Sequence, residues 1–281
     1  MRNICKLALA LALLLSLYQR SECQTPALDS KGPIERWFET VAHTQAEQPH
    51  WIAPVFTPTA RLEQMYVYDI SRQSTAKGDL TNFGGGRGLL LIPAEHINVV
   101  ITPPAYLRHE NPRIHDGFND FSFLLKYRLA AANENEGNYV ATAFLSTAVP
   151  TGAYSNGSPH AVITPAVGFG KGWGHFDVQS TFGVGLPVRD MDKLGTPISY
   201  NSAFQCVIFK KVWPEVEMNA TTFPNGPNAG NTQVFVSPGI VLGKFHVWRR
   251  LGFAVGGGVQ IAATHFHTFN HNRLLSLRFP F

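Results

Sequence analysis

The chain has 281 residues, of which 15% are charged, and it contains 25 glycines, 20 phenylalanines and 19 prolines. The charged fraction is well below the roughly 25% of soluble domains. Together with the many glycines and aromatics, this favours an all-β chain over a helical one. The formal net charge of +4 gives no indication of a nucleic-acid partner.

Residues 1–23 are predicted to be a signal peptide. Arg2 and Lys6 provide a basic start, and Leu7–Tyr18 is an apolar run. The run is too short for a membrane-spanning helix and matches the apolar core of a secretory signal. Cleavage after Cys23 would leave 20 basic and 18 acidic residues, a net charge of +2.

The cysteines predict an exported chain without disulfides, because only Cys206 clearly remains after processing. A lipid anchor on Cys23 is the less favoured alternative, since Arg20 and Glu22 stand where small apolar residues are expected. No later run reaches eighteen apolar residues, so we expect no helical membrane span. Such a chain can still enter a membrane by closing a β-barrel.

Residues 24–60 are predicted to form a periplasmic N-terminal segment. Within it, residues 33–42 can form a short amphipathic helix with Ile34, Trp37, Phe38 and Val41 on one side. The stretch that follows is too rich in proline for a strand inside a sheet. The segment can plug a barrel, brace its mouth or hang free, and a tail or brace is favoured over a plug.

Residues 61–281 are predicted to form the barrel, because apolar residues recur there at every second position. We predict about twelve strands of roughly the length that a tilted membrane strand needs, in the even number typical of bacterial barrels. They lie near residues 61–71, 86–93, 96–103, 118–131, 138–150, 160–171, 174–187, 199–211, 215–223, 232–244, 250–262 and 272–281.

The connections between these strands alternate between long and short. The short ones lie at residues 93–96, 133–137, 170–174, 211–215 and 244–250, and the first long one covers residues 72–85. Outer-membrane barrels have short periplasmic turns and longer external loops. The fold class predicted is therefore a transmembrane antiparallel up-and-down β-barrel with both termini on the periplasmic side.

Aromatic residues indicate the predicted membrane boundary. Trp173, Trp213 and Trp248 each lie in or beside a short turn, and we predict that they form a girdle at the periplasmic rim. The alternative is that they clamp the end of a β-sandwich.

The last strand ends on alternating apolar residues: Leu275, Leu277, Phe279 and Phe281. We predict that this strand pairs with the first and turns its apolar face to lipid. A terminal phenylalanine after such alternation resembles the signal that the barrel assembly machinery reads in bacterial outer-membrane proteins.

Polar residues on the opposite faces of the strands are predicted to point into the lumen, because a lysine or arginine facing lipid costs roughly 2–4 kcal/mol at mid-depth. They can filter solutes by size and dipole, or they can simply pair to fill a narrow lumen. These candidates are Lys126, Arg128, Asp177, Gln179, Asn201, Gln205, Glu215 and Glu217, with Asn219 beside them.

The stretch "DGFNDFSFLLKYRLAAANENEGNYVATAFLSTAVPTG", residues 116–152, resembles the outer-membrane transporter family of the phenol-degradation meta-pathway type. The matching positions are Gly117, Asp120, Lys126, Tyr127, Arg128, Pro150, Thr151 and Gly152, and "SPGIVLGK" with the terminal phenylalanine also fits. The resemblance implies a barrel that passes small aromatic or apolar molecules.

Metal and enzyme chemistry are less favoured. His265 and His267, with His271 nearby, have a spacing that can bind metal, but no cysteine or carboxylate cluster accompanies them. His175 and Ser180 differ in facing, and no G-x-S-x-G motif occurs. We predict no metal, no cofactor and no enzymatic activity.

The function predicted is an outer-membrane channel for small solutes, with outer-membrane lipid, the assembly machinery and the solute as partners. The alternatives are a lipase- or protease-like barrel enzyme and a secreted soluble β-sandwich binding protein.

Overall fold

The computed structural model describes residues 32–281, so the predicted signal peptide and residues 24–31 lie outside the described residues. The helices are α1 (Pro33–Ala46), α2 (Met191–Leu194) and a 3-10 turn at Tyr154–Asn156. In this range no helix is long and apolar enough to cross a membrane.

The long strands are β1 (Met65–Thr75), β2 (Gly78–Ala94), β3 (Ile97–Thr102), β6 (Phe121–Ala132), β7 (Tyr139–Val149), β8 (Val162–Trp173), β9 (Phe176–Val184), β11 (Ile198–Cys206), β12 (Val212–Thr222), β13 (Thr232–Trp248), β14 (Leu251–Ala262) and β15 (His271–Pro280). Three short strands extend the sheet: β4 (Tyr106–His109), β5 (Gly117–Phe118) and β10 (Leu186–Pro187).

The twelve long strands of the described chain close into a ring. Each pairs antiparallel with the long strand before and after it, and β15 pairs with β1 from Met65 opposite Pro280 to Ser74 opposite His271. Closure removes the unpaired edges that an open sheet leaves. The predicted twelve-stranded antiparallel barrel is confirmed, and the two-sheet sandwich is excluded.

Connections of different length mark the two ends of the barrel. Short turns at residues 95–96, 133–138, 174–175, 207–211 and 249–250 lie at one end, called the turn end below. The other end, the loop end, carries the connections at residues 103–120, 150–161, 185–197, 223–231 and 263–270.

The first predicted long connection is wrong. Residues 72–85 are not a loop but parts of β1 and β2, joined by a two-residue turn in which the Thr75 hydroxyl donates to Gly78 O at 2.7 Å. This hairpin has half-exposed residues on both faces, so its sequence shows no alternation. β1 also begins at Met65 and not at residue 61, and β11 ends at Cys206 and not at residue 211.

The outer face of the barrel is apolar and exposed. Large apolar residues there include Phe123, Leu125, Tyr127, Leu129, Leu145, Phe169, Phe182, Phe204, Val216, Ile240, Ile261 and Leu275, all exposed. They come from strands all around the ring. A continuous apolar surface of this kind is rare on soluble monomers and marks an interaction surface.

Residues 48–64, called the lumen segment, fill the barrel interior. Trp51 and Ala60 pack with Val140 and Phe144 of β7. Ile52 and Val55 pack with Val241 and Ala254 of β13 and β14. For residues 48–60 the favoured interpretation of residues 24–60 as a tail or mouth brace is therefore wrong, and they lie in the lumen as the plug alternative predicts. Prolines keep this segment out of the sheet, and its apolar side chains fill the interior. The segment has no strand-like alternation, so a search for strands does not predict its position.

The two ends of the lumen segment meet near the turn end. The Gln48 side-chain amide donates to Leu62 O at 2.7 Å and accepts from Leu62 N at 2.9 Å. Beside this junction, Trp37 of α1 donates to Ile92 O at 2.7 Å, and Val41 packs on Leu62 and Ile92. The segment is thus a loop that enters and leaves the barrel at one place.

Candidate functional site

Two glutamates of β12 hold the backbone of the lumen segment. Glu217 accepts hydrogen bonds from Phe56 N at 2.8 Å and Thr57 N at 2.5 Å. Glu215 accepts from Val55 N at 2.9 Å. Alternation along β12 turns both carboxyl groups inward, so three consecutive amides of the segment donate to carboxyl oxygens of the wall.

Cationic side chains hold carbonyl groups of the same segment and of the helix that precedes it. Lys126 Nζ donates to Thr59 O at 2.9 Å and Arg61 O at 3.1 Å. Arg128 Nη1 donates to Thr44 O at 2.8 Å, at the end of α1, and Nη2 pairs with Glu47 at 2.6 Å. Hydrogen bonds to ionised groups are the stronger ones.

Two further arginines were missed by the sequence interpretation. Arg87 Nη2 donates to Pro54 O at 2.5 Å, and Arg278 donates to Ala53 O and, at 3.0 Å, to Pro54 O. The inward face of Arg278 could have been inferred from Leu277 and Phe279 on either side. The residues around Arg87 are mostly glycines, which show no alternation of apolar and polar side chains, so the sequence does not indicate which face of the strand Arg87 occupies.

The remaining predicted lumen residues form an amide network. Gln179 donates to Ile52 O at 3.0 Å and to Gln205 Oε1 at 2.8 Å, and Gln205 donates to Glu215 at 2.5 Å. Asp177 accepts from Gln179 at 3.0 Å. Asn201 bonds to Thr181 and Asn219. All eight candidates lie inside the barrel, and most contact the segment or each other.

One ion pair lies within the lumen segment itself. Arg61 Nη1 is 3.4 Å from Glu63 Oε1, and both side chains are almost fully buried. Arg61 also donates to the carbonyls of Pro49 and Trp51. Removing one partner of a buried pair leaves an unpaired charge, so these contacts fix the path of the loop.

Cavities lie on both sides of the lumen segment. The turn-end cavity, of about 650 Å³, is lined by residues that include His50, Trp51, Glu134, His175, Asp177 and Trp213. The loop-side cavity, of about 280 Å³, is lined by residues that include Val55, Phe56, Asp69, Arg87, Leu124 and Lys126. The two share no lining residue, and different parts of the lumen segment line each of them.

The tryptophans differ in orientation. Trp173 and Trp248 are exposed at the turn end, and Trp173 stacks on Phe176 with ring centroids 6.3 Å apart. Trp213 faces inward and packs against both apolar clusters of the lumen segment. The girdle prediction is wrong for Trp213, which shares the inner face of β12 with Glu215.

The other sequence candidates are placed as follows. Leu275 is exposed on the outer face of β15, and Leu277, Phe279 and Phe281 share its phase. His267 bonds to Thr264 O and Asn270 within its loop. No cluster of three metal-ligating side chains occurs among residues 32–281. The Ser180 hydroxyl pairs with Ser202 at 2.9 Å.

Comparison with known proteins gives a match in structure. No protein-family model and no curated protein matches the sequence. The structure is similar to the crystal structure of an outer membrane channel from Pseudomonas putida F1, with a TM-score of 0.51 and 14% sequence identity. The match covers 82% of this chain and 98% of that chain. The chain therefore has the fold of that channel, and membership of the phenol-degradation type stays a prediction.

Proposed function

We propose that the protein is an outer-membrane channel for small solutes, in which the lumen segment is a plug that moves to allow passage. The observation that carries this proposal is the buried loop itself. It lies between two cavities of a closed barrel, and both of its ends join the rest of the chain near the turn end.

The distribution of polarity supports a membrane location. The outer face is apolar and exposed while charged side chains face inward, the inverse of a soluble protein. Backbone groups in lipid must be paired internally, and a closed ring of strands achieves this. The likeness to a solved outer membrane channel supports the same location.

The orientation proposed places the turn end in the periplasm, as in barrels with short periplasmic turns. Trp173 and Trp248 then lie at the periplasmic boundary of the outer membrane. The outward alternation that ends at Phe281 faces lipid and is available to the assembly machinery.

The way the segment is held supports movement as one unit. Most wall contacts go to backbone amides and carbonyls of residues 53–61, and the segment is not a strand of the sheet. Its withdrawal toward the turn end would join the two cavities while the strand ladder stays intact. The solutes proposed are small molecules, including aromatic or apolar ones, that pass a lumen lined by charges of both signs.

The test is conductance in planar bilayers. Because Gln48 and Leu62 are in contact, residues 49–61 can be replaced by a short glycine-serine linker without moving α1 or β1. Heat-modifiable gel migration reports that the barrel has folded. We expect large, steady conductance from the linker variant and rare openings from the wild type. Equal conductance in the two folded proteins would contradict the plug, and no conductance in either would contradict the channel.

A further inference from the structure

The loop-side cavity has the composition of a binding site. Its walls are mainly apolar and include Val55, Phe56, Leu90, Val100, Leu124 and Leu274. Its volume of about 280 Å³ lies near the lower end of small-molecule pockets, which span roughly 300–1,000 Å³. An apolar pocket of this size with a few polar groups fits a ligand of about one aromatic ring.

Arg87 offers the cavity a hydrogen-bond donor. Its Nη2 atom is used on the carbonyls of Pro54 and Val55, at 2.5 and 3.2 Å. Within the part of the chain that the structure describes, Nη1 is buried and has no hydrogen-bond partner. A buried donor without a partner costs free energy, and a planar guanidinium matches the geometry of a carboxylate.

Asp69 offers an acceptor in the same cavity. The residue is 5% exposed, and its Oδ1 atom has no partner among residues 32–281. The chain makes room for this carboxylate at Gly86, whose φ is 104°. A Cβ atom at that position would clash with Asp69 Oδ2. Ser122, Ser146 and Thr102 add hydroxyl groups to the lining.

The charges of the cavity favour an anion. Arg87 and Lys126 are cationic and Asp69 is anionic, and all three line it. A ligand with one negative charge is therefore favoured over a cation or a dianion. An acceptor group on the ligand meets Arg87, and a donor group meets Asp69.

We propose that the loop-side cavity is a binding subsite for a small apolar monocarboxylate that carries a hydroxyl group, such as a hydroxybenzoate. The carboxylate accepts from Arg87, the hydroxyl donates to Asp69, and the ring packs on the apolar wall. The inference rests on the proposed channel function, because the ligand enters from the loop end. Ligand binding is also coupled to the position of the plug, since Arg87 contacts both the ligand and the Pro54 and Val55 carbonyls of the plug.

The experiment is titration calorimetry of the detergent-solubilised protein with benzoate, 3-hydroxybenzoate and benzyl alcohol. We expect 3-hydroxybenzoate to bind more tightly than benzoate, and benzyl alcohol to bind most weakly. Arg87→Met should weaken binding of both acids about tenfold or more, the usual effect of losing one hydrogen bond to a charged group. Asp69→Asn should remove the preference for the hydroxylated acid.

Two control variants distinguish a change in the subsite itself from a change in the lumen segment. Arg72→Met removes an exposed arginine of the β1–β2 hairpin, paired with Asp79 and Glu110, and should leave binding unchanged. Glu217→Ala loosens the segment but keeps Arg87. Loss of benzoate binding in this variant equal to the loss in Arg87→Met would assign the effect to the segment and overturn the inference.

Equal binding of the acids and the alcohol, or no binding of any, would also overturn the subsite. Either result leaves the conductance of the linker variant as an independent measurement. Failure of the subsite and failure of the channel are therefore distinguishable.

Discussion

Asp120 shows how one residue accounts for a sequence motif. Its Oδ1 atom accepts from Thr151 N at 3.0 Å and Gly152 N at 2.9 Å, and Oδ2 accepts from Ser158 N at 2.7 Å. The aspartate before β6 thus holds the "PTG" stretch that follows β7. Asp120, Thr151 and Gly152, which are part of the family resemblance, therefore build a loop and carry no direct information about the solute.

Replacing Asp120 tests this role. Asp120→Ala removes the side-chain acceptor of the Gly152 and Ser158 amides, so we expect hydrogen exchange at these two amides to become about tenfold faster or more. Asp120→Asn keeps one oxygen and should give an intermediate rate. Asp192→Ala, at an exposed aspartate of the short helix α2, is the matched control. Unchanged exchange in Asp120→Ala would show that the loop is held by other contacts.

Glu217 is the residue whose loss should loosen the plug most directly. Glu217→Ala leaves the amides of Phe56 and Thr57 without their anionic acceptor, at roughly 1.5–3 kcal/mol for each hydrogen bond to a charged group. We expect the open probability in planar bilayers to rise about tenfold or more. Glu136→Ala removes an exposed glutamate from a turn and should have no effect. Wild-type behaviour of Glu217→Ala would mean that this contact does not restrain the segment.

The turn between β6 and β7 is joined to the lumen segment through Glu134. Its carboxylate accepts from His50 N at 2.6 Å and lies 2.8 Å from His50 Nδ1. Burial alone would raise the pKa of Glu134, but the hydrogen bonds from His50 outweigh it and hold that pKa below its ordinary value. The contact is therefore complete above the ordinary glutamate pKa, and it is lost as the pH falls through the lowered one.

This contact predicts a pH-dependent exchange rate at His50. At neutral pH the amide of His50 should exchange faster in Glu134→Gln than in the wild type. The difference should shrink as the pH falls below the ordinary glutamate pKa and the wild-type carboxylate also becomes protonated. A ratio of the two rates that stays constant over this range would contradict the assignment.

At the level of elements, the sequence predicted those strands in which apolar and polar residues alternate. Strands such as β6 and β15 bury one polar face and expose one apolar face, so their phase can be read from Lys126 or Leu275. The β1–β2 hairpin could not be recognised in this way, because both of its faces are half exposed. The position of the lumen segment could not be predicted either, because its fit to the wall depends on backbone hydrogen bonds, which leave no side-chain pattern of their own.

At the scale of the whole molecule, the barrel is held by its closed ladder and its interior by charged contacts to a loop. The wall residues could be predicted as inward-facing, but their partners could not. Those partners are mostly carbonyls and amides more than 60 residues away in the chain. The central claim is that this loop must move before a solute can pass.

Cross-linking the loop to the wall tests that claim most directly. A Cβ atom built at Gly256 would lie 3.4 Å from Val55 Cγ2 and no closer than 3.3 Å to its other neighbours, so side chains at the two positions are in contact, as a disulfide requires. The variant combines Val55→Cys and Gly256→Cys with Glu217→Ala, and replaces Cys5, Cys23 and Cys206 by serine. Each single-cysteine version is a control.

Conductance is then recorded in planar bilayers before and after addition of a reductant. We expect the oxidised protein to stay closed and the reduced protein to show the raised conductance of Glu217→Ala. The single-cysteine controls should have the same conductance before and after the reductant is added. Equal conductance in the oxidised and reduced states would show that solutes pass while the loop stays in place, and would contradict the account.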